Sequence, residues 1–137
     1  MKKIGTLNTH LSLALSRMGH GDTLVICDCG LPIPRSSEIV DLALTSNIPR
    51  FIETLRVILE ELEVERAVIA REMERSNKPT FDELMNELKA AKVKRVRKVS
   101  HAAFKKQTEN GHNTVFVRTG EATPFANVIL VSGVTFS

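Results

Sequence analysis

The sequence predicts an α/β fold, a three-layer sandwich in which a mostly parallel central sheet is flanked by helices. Short apolar runs of strand length, such as "TLVIC" and "ERAVIA", alternate with amphipathic stretches of helical length. Capping residues punctuate that alternation, as α/β layering requires. At 137 residues and 42% hydrophobic, the chain can bury one core but not two, so a single domain over 1–137 is expected.

The elements follow in order. Asn8 or Thr9 is suited to cap a helix over "LSLALSRM", and Gly19 to the left-handed turn that ends one. "TLVICD" reads as a strand, and "EIVDLAL" (38–44) as a second. Pro49 suits the first turn of a helix through "RFIETLRVILEEL", where Phe51, Leu55, Ile58, Leu59 and Leu62 share one stripe. "ERAVIA" reads as a buried strand. Thr80 then predicts an N-cap for "FDELMNELKAAK", with Glu83 at the capping-box position. "VKRVRKV" alternates like a strand, Ser100 caps a short helix "HAAFKKQ", and "NTVFVRTGE" and "ANVILVSGV" read as two closing strands.

Composition removes several classes of function. A net charge of +3 is too small for a nucleic-acid face, and the basic run Lys92–Lys98 alternates with valine as a strand with one solvated side does. No nucleic-acid partner is expected. No run approaches the ~18 apolar residues of a membrane span, so no membrane partner is expected either. The opening "MKKIGTLNTHLSL" is broken by Asn8, Thr9 and His10 and reads as a mature cytosolic N-terminus. Cys27 and Cys29 are poorly placed to bridge each other and read as buried free thiols of a reducing compartment. The histidines lack the H-x-H or H-x₃-H spacing of a metal site, and no phosphate loop or nucleophile elbow occurs; no metal or cofactor is expected.

In open α/β sheets ligands collect at the carboxyl edge. Three segments deliver polar groups to such a rim: "TLVIC" ends at Asp28, "VKRVRKVS" leads to His101, and "NTVFVRTGE" leads into "ATPFAN". Asp28 reads equally as a functional carboxylate or as a turn aspartate bonding the amides of Cys29 and Gly30. His20, between Gly19 and Gly21, is a surface turn histidine or a proton-transfer group that a ligand can approach closely. His101 reads as a cap neighbour or a ligand contact, and His10 and His112 as solvent-facing. Asn127 satisfies its own turn or binds a hydroxyl. The residues alone thus point to a small polar ligand and proton transfer.

The segments "MKKIGTLNTHLSLALSRMGHGDTLVICDCGLPIP", "EIVDLALTSNIPRF", "SHAAFKKQT", "RTGEATPFAN" and "ILVSGVTF" together resemble the bacterial D-ribose pyranase family, whose close relatives are the fucose mutarotases. "GHGD" is common to both branches, whereas "GLPIP" and "EIVDLAL" resemble the pyranase branch. The resemblance implies a pyranase/mutarotase-like domain over the whole chain and interconversion of the pyranose and furanose forms of D-ribose, without a cofactor. It further implies a cytoplasmic homo-oligomer, commonly a decamer of two stacked pentamers with sites at subunit contacts. By the same resemblance His20 is the acid catalyst, while Asp28, His101, Lys105, Phe125, Ala126 and Asn127 contact the sugar. The family usually carries tyrosine where this chain has Phe125; a phenyl ring keeps the apolar contact but donates no hydrogen bond. Two other functions fit: anomer exchange of fucose or another sugar, and sugar binding with weakened catalysis.

Overall fold

A computed structural model describes residues 1–111 and 113–137; His112, expected to face solvent, lies outside the described residues. The chain runs α1 (Thr9–Arg17), β1 (Thr23–Cys27), β2 (Glu38–Asp41), α2 (Phe51–Glu61), β3 (Val64–Ala70), α3 (Glu72–Ser76), α4 (Lys78–Ala90), β4 (Arg95–Val99), α5 (His101–Glu109), β5 (Thr114–Arg118) and β6 (Val128–Ser132). The six strands form one sheet in the order β2-β5-β1-β6-β3-β4. Neighbours pair in parallel except at β6, which is antiparallel to both β1 and β3. The sheet is therefore mostly parallel, as expected.

Alternation along the strands builds two unequal layers. Leu24 and Ile26 of β1, Val115 and Val117 of β5, and Val128 and Leu130 of β6 point into a large core under α1, α2 and α4. Val25, Cys27, Phe116 and Ile129 point the other way, into a smaller core closed by Phe104 of α5 and by Leu31. In the larger core Phe51, Leu55 and Ile58 of α2 are all fully buried, so the predicted stripe is the packed face. The edge strand β4 keeps Arg95, Arg97 and Lys98 exposed, and charge on an open edge discourages pairing with another sheet.

Several local expectations are corrected. α4 begins at Lys78, two residues before Thr80, because Pro79 sits comfortably in a first turn. Thr80 is thus no cap. Asn77 occupies the cap position but turns its amide to Thr123 Oγ1 (2.8 Å) and the Pro124 carbonyl (2.9 Å). Pro49 precedes α2, whose N-cap is Arg50. "EIVDLAL" is strand only to Asp41, where pairing with β5 stops at Arg118. β1 likewise stops at Cys27, so Cys27 is buried but Cys29 is exposed; burial pushes the Cys27 thiol up to about 12.

Candidate active site

The carboxyl ends of β1, β3, β4 and β5 and the start of β6 share one edge of the sheet. Asp28 follows β1 and Asn127 precedes β6, and because those strands are antiparallel neighbours the two residues meet. The Asn127 Oδ1 accepts from the Asp28 amide (2.9 Å), while its Nδ2 donates to Asp28 Oδ2 (3.1 Å). The Gly30 amide donates to Asp28 Oδ1 (2.9 Å), so the turn-aspartate role is real. Asn127 is fully buried, which ties its side chain to Asp28 rather than to its own turn. Burial pushes the Asp28 carboxyl above the usual aspartate range. Hydrogen bonds from Gly30, Asn127 and Leu31, and the nearby His101, oppose that shift without cancelling it.

His101 opens α5 immediately after β4, with Ser100 as N-cap accepting from the Ala103 amide. Its ring meets Phe125 edge-on, centroids 4.9 Å apart, and stacks on Phe104 at 6.3 Å. Its Nδ1 is buried and has no hydrogen-bond partner among the described residues, as a polar atom intended for a ligand would be. Lys105 lies one turn further along α5, partly buried, on the same helix face as His101. Phe125 adopts a left-handed backbone (φ 59°), a conformation costly for a residue with a side chain. Ala126 is fully buried in the larger core, so its main chain is what it offers the rim.

The loop that carries Phe125 to Asn127 is braced by a residue the sequence reading passed over. Glu121, its side chain only 2% exposed, accepts from Arg50 Nε (3.2 Å) and Nη2 (2.8 Å), from the Phe51 amide at the start of α2 (2.9 Å), and from Thr123 Oγ1 (2.6 Å). Burial alone would raise its pKa, but these donors hold the carboxyl below the usual glutamate range. Its carbonyl also accepts from the Cys29 amide (3.0 Å), joining this loop to the one after Asp28. Gly120 packs against the Thr45 and Ile48 carbonyls where any Cβ would collide. A carboxylate three residues past a buried strand, inside "RTGEATPFAN", was the available signal.

One expected site residue is elsewhere. His20 lies in the turn before β1, at the opposite edge of the sheet, where the Gly21 amide donates to the Ser132 carbonyl at the end of β6. The five residues of β1 separate it from Asp28, roughly 16 Å at strand rise. Within one chain, His20 and Asp28 therefore stand at opposite edges of the sheet and share no hollow. The imidazole is 60% exposed, and its Nε2 lies 3.1 Å from Glu65 Oε2.

The edge that gathers this carboxylate, amide, imidazole and aromatic ring is the carboxyl edge, where open α/β sheets take small polar ligands. The chain belongs to the RbsD / FucU transport protein family, whose model matches residues 1–135. It is 49% identical over 136 residues to a D-ribose pyranase of Coprothermobacter proteolyticus and 47% identical over 136 residues to one of Clostridium perfringens, in each case covering 99% of this chain and all of the relative. Among solved structures, Bacillus subtilis RbsD complexed with D-ribose superposes with a TM-score of 0.90 at 40% identity, covering 99% of this chain and 100% of that one. FucU from Bifidobacterium longum gives a TM-score of 0.78 at 25% identity, covering 95% and 97%.

Proposed function

We propose that this chain is an isomerase that interconverts the pyranose and furanose forms of D-ribose by acid/base-assisted opening and closure of the ring. The observation that carries the reading is the rim itself: Asp28 locked to Asn127, beside a buried and unpartnered His101 nitrogen, in a chain whose full-length relatives are named D-ribose pyranase.

Opening a hemiacetal moves two protons. One leaves the anomeric hydroxyl as the carbonyl forms, and one reaches the ring oxygen as its bond to the anomeric carbon breaks. Closure through the C4 instead of the C5 hydroxyl reverses both transfers and gives the five-membered ring. Acid and base groups within hydrogen-bond reach each contribute ~10²–10⁴-fold, and no electron changes hands. In this reading Asp28 accepts hydroxyl hydrogens of the sugar, and His101, Lys105 and Asn127 fix other hydroxyls. Phe125 packs on the carbon face, and the main chain at Ala126 lines the floor.

His20 is the acid that protonates the ring oxygen, and it reaches a rim only from a neighbouring copy. The assembly that fits is a closed homo-oligomer, a decamer of two stacked five-membered rings with each site at a subunit contact. Support comes from the exposure of His20 and from Glu65, which orients the imidazole without enclosing it. A cytoplasmic setting suits the free thiols of Cys27 and Cys29. Among the described residues, no helix is long and apolar enough to cross a membrane.

The test is NMR magnetisation transfer between the ring forms of D-ribose. The protein should accelerate pyranose–furanose exchange, and His20→Ala should abolish the acceleration. Acceleration of fucose anomers with none for ribose would replace this reading by the mutarotase one, which Phe125 in place of a phenol keeps open. Ribose binding with no acceleration of any sugar would leave a binding protein.

A further inference from the structure

We propose that Glu72 is a positioning residue for His101, an inference that rests on the sugar-site reading above. β3 and β4 are parallel neighbours ending in register, Ala70 beside Val99, so the residues that follow them lie side by side. The Arg71 amide continues the pairing by donating to the Val99 carbonyl (2.7 Å). One residue on, both oxygens of the Glu72 carboxylate accept from the His101 amide at 3.0 Å. That amide is the first of α5 and has no partner within its own helix. The hydrogen bond to it lowers the Glu72 pKa, so the group holding the helix start is an anion.

Ser100 caps the third amide of α5 and leaves the first to Glu72. The His101 backbone is thus fixed by a bond from another element, in addition to its own helix. Its ring is fixed by Phe104 and Phe125, and its buried Nδ1 is left for the ligand. Glu72 meets the rim through the His101 main chain, so its effect passes through the angle at which α5 presents the imidazole. A charge-assisted bond is shorter and stronger than a neutral one and tolerates less wandering.

Two variants and two measurements test this. Glu72→Ala should raise KM for D-ribose about tenfold, the consequence of losing one charge-assisted hydrogen bond, with kcat little changed. It should also displace the His101 ring-proton resonances, whose positions depend on the neighbouring Phe104 and Phe125 rings. Glu72→Gln, which keeps an acceptor oxygen but not its charge, should bring both measurements part of the way back to the parent values. Unmoved His101 resonances in Glu72→Ala overturn the proposal, and so does a Glu72→Gln variant as impaired as Glu72→Ala. Should the parent protein act on no sugar, the function reading fails alone, because the resonances still decide whether Glu72 holds His101.

Discussion

The two edges of the sheet are built differently. At the carboxyl edge, Asp28, Asn127, His101 and Phe125 are packed against one another, and Glu121 and Glu72 brace the segments that carry them. At the opposite edge, His20 stands in solvent with one exposed carboxylate beside it. A crowded rim holds a ligand in one pose; an exposed imidazole has no hollow of its own. On the function proposed above, the difference has a use: the rim is the binding half of the proposed site and the far edge its proton donor, joined by a second copy.

The sharpest way to break that comparison is complementation. His20→Ala and Asp28→Asn should each lower ribose exchange by ~10²-fold or more. If sites form between copies, co-assembling equal amounts of the two variants should restore about a quarter of the parent activity, since one site in four then draws both intact residues. A mixture as inactive as its components would overturn the proposal that the two residues meet in one site between copies.

The next effect concerns the two carboxylates of the braced edge. Glu121→Ala leaves the Phe51 amide and Thr123 hydroxyl without their acceptor, and should cost about 2–3 kcal/mol in urea unfolding. Because folding depresses the Glu121 pKa, its contribution is fully present above the ordinary glutamate value and is lost as pH falls through the folded value. Asp28 has the opposite sign. Its folded pKa is raised, so its charged form costs stability above that value, and the cost fades as acid titrates it. Glu121→Gln should therefore flatten the acid limb of the stability curve. In carboxyl-resolved NMR titrations Asp28 should take up its proton above the ordinary aspartate range and Glu121 below the ordinary glutamate range. A shift of either group in the other direction would break the distinction between the two.

The smallest effect belongs to the far edge. Glu65→Gln removes a partner from an exposed pair and should change stability by less than about 0.5 kcal/mol in the same assay. A larger loss would mean that the His20 turn is braced after all.

The layered fold was legible because strands and helices of this kind announce themselves by period and by caps: the buried stripe of α2 and the Ser100 cap of α5 stand where the pattern put them. The middle was harder. α3 is five residues long, too short to show a period, and it carries the Glu72 that holds α5. Asp28, His101 and Asn127 were legible as a rim, since each adjoins the end of a strand. Their pairing was not, because it depends on β6 running antiparallel between β1 and β3, a matter of topology that no local pattern records. Glu121 escaped for a related reason: its partners, Arg50 and Phe51, lie about seventy positions away in the chain.

The placement of β6 has a consequence for how the molecule is held together. Without residues 128–132, β2, β5 and β1 form one ribbon, β3 and β4 form another, and no hydrogen-bonded ladder joins them. β6, sixth of the six described strands in chain order, sews the ribbons together, and the residue just ahead of it, Asn127, seats Asp28. Closing the sheet and pairing Asp28 with Asn127 thus depend on the same short segment.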